Sequence, residues 1–389
     1  MCKGKFHPRK LDFHPYPSVN AGLRKSFHTT SRKMIPPAIW IVVAPVVKVI
    51  AVLSGRFSRK WWQALPTYKK LQYLNAAGCV GFSGLSLYYC KHLQETPITG
   101  RKRFIAFTPA QYEKLSYETY KHVFHQYEKE FLNKDHPFHT RLTRVFHNLL
   151  WANGDFVQLN SNQKWEYRVL DRPYPKHHIN ALCVEHGLIL VNSSALEVLQ
   201  TDDELAFIIA HEMAHILLGH QQENISQGQL LDFMIIAVMA SIWTMIPSDG
   251  ISIVTHWFFA KCRQLFVDLP YSRKVETEAD KVGLEIMAKA CYDIRAAPLT
   301  MTKLSIDCNL NESGKFQMEF LKTHPLSIRR AEHMNHLLPS AELVRESCNC
   351  PELPSKDPRE LITFISYLAE QRYIKLKTRQ NLKQVTYKL

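Results

Sequence analysis

The residues with the clearest chemical potential lie in the segment Thr201–His220, which reads TDDELAFIIAHEMAHILLGH. His211 and His215 are four positions apart, so on a helix both imidazoles share one face and can bind a single Zn²⁺. Glu212 follows the first histidine, where a carboxylate can take a proton from water activated by that metal. The spacing therefore predicts the chemistry of a metal-dependent hydrolase.

The surrounding residues predict that these groups are buried in a helix. Thr201 and Glu204 have the spacing of a capping box, and Leu205–Leu218 is apolar nearly all round. Ionisable side chains in such surroundings are costly unless they are paired or bound to a metal. We therefore interpret the two histidines and Glu212 as a functional site.

A third metal ligand must come from outside the five-residue pattern. His220 lies nine residues after His211, whereas the extended pattern HExxHxxGxxH needs ten. We therefore expect His220 to lie at a helix end.

The second candidate ligand is Glu276, in the segment YSRKVETEADKVGL. Asp280 is four residues further on and shares its helix face, so it can accept the second N–H of a ligating histidine. We expect Glu276 to complete the site, Asp280 to orient a ligand, and Glu278 to face away as a substrate-side or surface acid.

Three motifs carry a family resemblance: HEMAH from His211, ETEAD from Glu276, and THPLSIRR at Thr323–Arg330. Together they resemble the HtpX/CAAX-prenyl-protease-like family of zinc endopeptidases. The stretches RKWWQALP, PITGRKR, LLDF, PYSRKVETEAD, AKACYDIRA and ESCNCP are similar to the family's mitochondrial inner-membrane metalloendopeptidases, whose activity overlaps that of the m-AAA protease.

The resemblance implies a mainly α (α+β) fold. The expected architecture is a zincin-type helical protease domain with a small antiparallel edge sheet, preceded by one transmembrane helix. It also implies one Zn²⁺ per chain on His211, His215 and Glu276, with Glu212 as the catalytic base. The THP motif places His324 and Arg330 at the rim of the site, where either could bind the oxyanion or a substrate carboxylate.

The segment NALCVEHGLILV, from Asn180, corresponds to the family's edge hairpin. Asn180, Ala181 and Gly187 are its candidate residues, because an edge strand can pair with an extended substrate backbone. Relatives usually carry Pro followed by Asn or Gly before the turn glycine, where this chain has Glu-His.

The basic charge is confined to the N-terminal part of this 389-residue chain, whose net charge is +14. Residues 1–103 contain 18 Lys and Arg but only Asp12 and Glu95 as acids, and the remainder holds 31 basic and 33 acidic residues. A nucleic-acid-binding domain would carry the basic charge on its folded body, so we expect no nucleic acid. We expect targeting and anionic lipid such as cardiolipin instead.

The N-terminal part divides into three predicted segments. Residues 1–33 are basic and rich in hydroxyls, which is typical of a mitochondrial transit peptide. Residues 34–70, interrupted by Pro45, form a basic interfacial segment. Leu71–Cys90 carries no charge over twenty residues and could span about 30 Å, which predicts a transmembrane helix over 71–92.

Two further predictions concern the rest of the chain. Residues 104–350 form the protease domain, and residues 351–389 form a basic C-terminal tail. Phe233–Ser248 is a shorter uncharged run, for which we expect core packing while membrane contact stays open.

The cysteines allow a disulfide or redox site. The candidates are Cys291 with Cys348 or Cys350, and free thiols are the alternative because sequence does not determine pairing. The chain has no GxxxxGK[ST] loop, so we expect hydrolysis without ATP.

The resemblance implies an endopeptidase that is single-pass in the mitochondrial inner membrane, with its protease domain in the intermembrane space. Its substrates would be membrane-tethered proteins, including the inner-membrane dynamin-like GTPase, cleaved under stress or loss of membrane potential in mitochondrial quality control. It would also cleave itself on activation. The alternatives are a prenyl-protein-type membrane protease and a non-catalytic zinc-stabilised scaffold or chaperone. Assembly into a homo-oligomer is left open.

Overall fold

The computed structural model describes residues 37–158, 164–174, 176–177, 179–184, 186–246, 269–311 and 328–371. The predicted transit peptide and His324 lie outside these ranges. The described chain is mainly helical, which confirms the predicted fold class. The helices are α1 (Pro37–Ala64), α2 (Thr67–Lys91), α3 (Pro109–Tyr127), α4 (Pro137–Ala152), α5 (Gly154–Gln158), α6 (Ser193–Val198), α7 (Asp202–Leu218), α8 (His220–Met245), α9 (Leu269–Lys289), α10 (Ala296–Asn311) and α11 (Ile328–Ser347).

The strands form two small sheets. β1 (Leu93–Glu95) and β2 (Lys102–Phe104) pair antiparallel just after α2. β3 (Glu166–Leu170), β4 (Ala181–Val184) and β5 (Leu188–Asn192) form a sheet in the order β3-β5-β4. The β4–β5 hairpin is antiparallel as predicted, but β3 runs parallel to β5, so this sheet is mixed.

Helix α7 is the centre of the core. Thr201 Oγ1 accepts from the amide of Glu204 at 3.2 Å, while Glu204 Oε2 accepts from the amide of Gln200 at 2.9 Å, so only half of the predicted capping box forms. Gly219 ends the helix at φ +65°, a conformation that favours glycine. The residues between are buried against α4, α9, α10 and β4. This burial is what the apolar pattern predicted.

The candidate membrane helix among the described residues is not the predicted one. Among the described residues only α8 is long and apolar enough to cross a membrane. Helix α2 covers most of the predicted span at 71–92 and has no buried residue, but it is not apolar enough by the same criterion. A span at 71–92 therefore stays a prediction. The apolar stretch of α8 is almost wholly unburied, so the expected core packing of Phe233–Ser248 is wrong for its described part.

Helix α1 is continuous through Pro45 and packs parallel to α8. Lys48 Nζ lies 2.5 Å from Asp232 Oδ1 at one level, and Ser58 Oγ lies 3.1 Å from Thr244 Oγ1 at another. The two helices approach so closely at Gly55 that a Cβ there would lie 2.8 Å from the carbonyl oxygen of Ala240 in α8.

Candidate metal centre

The structure brings together the two histidines of α7 and a glutamate of α9. The Nε2 atoms of His211 and His215 are 3.1 Å apart, and each lies 3.5 Å from a carboxylate oxygen of Glu276. Two donors that bind one zinc tetrahedrally at 2.0–2.1 Å lie roughly 3.4 Å from each other. All three side chains are buried, so these donors fit a zinc ion in both type and spacing.

A carboxylate and a guanidinium support the first histidine. His211 Nδ1 lies 3.1 Å from Asp280 Oδ1, and Arg330 holds Asp280 through two hydrogen bonds of 2.8 and 2.6 Å. Burial alone would raise the pKa of Asp280, but the charge of Arg330 and the bond with His211 lower it below its usual value. Asp280 is therefore an anion that fixes the proton of His211 on Nδ1, leaving Nε2 for a metal.

Arg330 lies within the site, 2.9 Å from Glu276 as well as bonded to Asp280. Its guanidinium is buried between these two carboxylates. The structure thus gives Arg330 a role in holding the ligands, and its predicted contact with an oxyanion or a substrate carboxylate stays a prediction. The same holds for His324, which lies outside the described residues.

Glu212 is fully buried next to the metal ligands, and the thiol of Cys183 on β4 lies close to its carboxylate. Burial raises the pKa of Cys183 well above its usual value, and the charge of Glu212 adds to this. Sequence reasoning missed this contact. Strand alternation could have found it, because Ala181 and Cys183 share the face of β4 that packs on α7.

The predicted edge hairpin lies beside the centre. Gly187 occupies its turn at φ +96°, and the carbonyl oxygen of Asn180 accepts from the amide of Asn192. Among the described strands, β4, which begins at Ala181, pairs only with β5, so no described strand occupies its other edge. An extended peptide could add there as a further strand.

Glu278 does not face away as expected. Its side chain is only 8% exposed and is bound by Arg101 and Thr99, which lie in the connection after α2. The prediction of a surface acid is therefore wrong, because helix periodicity cannot anticipate a partner from another part of the chain.

The cysteine prediction is resolved by the structure. Cys291 and Cys350 form a disulfide, whereas Cys348 is an exposed free thiol. The bond joins the chain just after α9 to the chain just after α11. It therefore ties together the ends of the helices that carry Glu276 and Arg330.

Comparison with known proteins agrees with this centre. The profile of peptidase family M48 matches residues 139–338. Mitochondrial metalloendopeptidase OMA1 of Bos taurus is 32% identical, covering 95% of this chain and 72% of the bovine protein. The Danio rerio protein is 34% identical over 86% of this chain and 72% of its own length. The Saccharomyces cerevisiae protein is 30% identical over 70% of this chain and 76% of its own length.

Proposed function

This chain belongs to peptidase family M48, as a mitochondrial metalloendopeptidase of the OMA1 type, and on that basis we propose that it is a zinc-dependent, ATP-independent endopeptidase. The observation that carries the proposal is the donor spacing of 3.1–3.5 Å among His211, His215 and Glu276, with Glu212 buried beside them.

The residues divide the reaction between them. Bound zinc would supply the positive charge that polarises the scissile carbonyl and acidifies water. Glu212 takes the proton from water and later passes it to the leaving amine. The edge of β4 that does not pair with β5 holds the substrate backbone extended beside Glu212. Asp280 keeps His211 in the tautomer that leaves Nε2 free for the metal.

We further propose that the enzyme acts at the mitochondrial inner membrane, with its protease domain in the intermembrane space. The names of the relatives and the membrane-length helix α8 support a mitochondrial membrane protein. The basic residues Arg56, Arg59 and Lys60 of α1 support contact with anionic lipid such as cardiolipin. The proposed substrates are membrane-tethered proteins, including the inner-membrane dynamin-like GTPase when the membrane potential falls.

A Glu212→Gln variant tests the hydrolytic function. The variant should bind one zinc per chain, as the wild type does, while cleavage of a membrane-tethered reporter in cardiolipin liposomes falls by about 10²–10⁴-fold. Metal analysis and product quantification provide the two readouts.

Glu118→Gln, on the exposed face of α3, is the matched control and should cleave like the wild type. A wild type that binds zinc but does not cleave the reporter would indicate a non-catalytic scaffold, and equal cleavage by Glu212→Gln and the wild type would exclude Glu212 as the base.

A further inference from the structure

The two ring nitrogens of His215 contact different partners. Nε2 faces His211 and Glu276, so it is the nitrogen that would bind the metal. Nδ1 lies 2.8 Å from Nδ1 of His220. A histidine that binds a metal through Nε2 keeps its proton on Nδ1, so His215 donates to His220.

His220 is buried at the start of α8, and its second ring nitrogen continues the chain of hydrogen bonds. Because its Nδ1 accepts, its proton must lie on Nε2, which is 3.3 Å from Glu278 Oε2. Both rings are thereby restricted to one tautomer. The acidic Glu278 stands at the end of the chain of hydrogen bonds.

Glu278 is held in place by residues from the connection between α2 and β2. Arg101 donates to its Oε2 from Nε at 2.7 Å, and Thr99 Oγ1 donates to its Oε1. Arg101 also makes two bonds of 2.7 and 2.6 Å to Glu223, whose side chain is 1% exposed. The guanidinium therefore balances two buried carboxylates at once.

Strand β2, which follows this connection, contacts the end of the helix that carries His215. The guanidinium of Arg103 donates to the carbonyl oxygens of Leu218 and Gly219, where a cation suits the C-terminus of α7. Ile98 has φ +67°, a rare conformation for a β-branched residue. Surrounding contacts must hold this turn in place, so the tertiary structure determines the conformation of the connection.

We propose that His220, Glu278 and Arg101 are positioning residues for the ligand His215. We call these residues the His220 relay. It supports the second histidine as Asp280 and Arg330 support the first. The relay also links the ligand to the turn between β1 and β2, the small sheet that follows α2. This inference rests on the proposed binding of zinc.

The zinc dissociation constant tests the relay. It is measured by chelator competition on the full-length protein in nanodiscs, in a Glu212→Gln background so that hydrolysis plays no part. His220→Leu should weaken zinc binding about 10–100-fold. His220→Asn, which can place an acceptor near the position of Nδ1, should recover much of the loss. Arg101→Met should weaken binding too.

A double variant separates a relay from two independent effects. His220→Leu combined with Arg101→Met should weaken zinc binding by clearly less than the product of the single effects, because both act through His215. Multiplicative effects would overturn the relay, as would an unchanged dissociation constant in His220→Leu. If His220→Leu does not fold, Thr99→Val decides in its place. It removes only one hydroxyl donor to Glu278, and it should weaken binding measurably.

The matched control is Lys303→Met. Lys303 Nζ lies 2.7 Å from Glu204 at the other end of α7, so the variant also leaves a buried carboxylate without its cation. It should lower thermal stability without changing the zinc dissociation constant, and a matching loss of zinc binding would assign the relay effect to general destabilisation. A Glu212→Gln protein that binds no zinc would instead refute the proposed function.

Discussion

His211 and His215 have different chemical supports, although their positions on α7 are equivalent. His211 donates to Asp280, a carboxylate held by Arg330, whereas His215 faces the imidazole of His220. A carboxylate that accepts the Nδ1–H of a histidine makes the Nε2 of that histidine a more basic metal ligand than a neutral imidazole acceptor does. Asp280 should therefore matter more than His220 for the basicity of its ligand.

Asp202 at the start of α7 makes stability depend on pH. Burial alone would raise its pKa, but hydrogen bonds from Arg141 and Arg144 outweigh this and lower it from its usual 3.8. The stabilisation is thus present above pH 3.8 and is lost as the pH falls from there through the lowered pKa. Denaturant unfolding should give Asp202→Asn a deficit of up to about 1 kcal/mol at pH 7 that shrinks below pH 4. A deficit that is constant with pH would contradict this.

The disulfide Cys291–Cys350 closes a loop with a sequence separation of 59. By chain entropy, such a cross-link contributes up to about 4 kcal/mol through the unfolded state. We expect Cys350→Ser to lower the free energy of unfolding by about 2–4 kcal/mol, and a reductant to lower the wild-type melting temperature.

Cys348→Ser provides the control, because its thiol is free and exposed. Equal losses in Cys348→Ser and Cys350→Ser would show that the disulfide is not the source of the stability.

At the scale of elements, the metal centre depends on how closely α9 approaches α7. The contact point is Gly283, where a Cβ would lie 3.0 Å from the backbone nitrogen and Cα of His211. Backbone atoms cannot move aside as a flexible side chain can. Because Gly283 has a hydrogen in place of a Cβ, α9 comes close enough to α7 for Glu276 and Asp280 to reach its histidines.

Gly283→Ala should therefore push α9 away from α7. We expect a loss of about 1–3 kcal/mol in the free energy of unfolding, together with weaker zinc binding, because both carboxylates move with the helix. Unfolding curves and chelator competition measure the two effects.

Gly228→Ala in α8 is the matched control, since a Cβ there meets nothing within 4 Å. It should stabilise the protein by up to about 1 kcal/mol through helix propensity. If Gly283→Ala had the same stabilising effect, the close approach would not determine the geometry of the site.

At the scale of the whole molecule, α8 follows the metal-binding helix α7 directly and packs against α1. Arg56 and Arg59 lie over the ring of Trp243 at 5.9 and 5.8 Å, and Arg59 donates to its carbonyl oxygen. Basic and aromatic residues at one end of an apolar helix are typical of a membrane interface. This arrangement favours a membrane interface at the Trp243 end of α8, whereas the metal centre lies beside the start of that helix at His220.

The ion pair Lys48–Asp232 tests whether this helix pair lies in lipid. In water a partly exposed pair contributes 0–1 kcal/mol, whereas an unpaired charge in a bilayer costs about 2.5–3.5 kcal/mol. We expect Lys48→Leu and Asp232→Leu to destabilise the protein in nanodiscs, and the double variant to recover stability. The coupling free energy should exceed 1 kcal/mol.

Thermal unfolding of the wild type, the two single variants and the double variant gives the coupling free energy between Lys48 and Asp232. The same cycle on Lys121 and Glu118, an exposed pair on α3, should give a value below 1 kcal/mol. Equal values for the two pairs would place Lys48 and Asp232 in water.

The sequence by itself determined the elements whose causes are local. The i,i+4 spacing places His211 and His215 on one face, Thr201 begins their helix, and the continuous apolar pattern buries it. The donors of the centre follow from these features together with the charge pattern around Glu276.

Only the tertiary structure decided which distant groups meet. Arg101 reaches Glu278 from 177 positions away, and the apolar stretch of α8 stays largely unburied although its composition would suit a core. Composition and periodicity describe what one face of an element could bury or bind. The identity of the partner depends on packing between segments far apart in the chain, which no local pattern encodes.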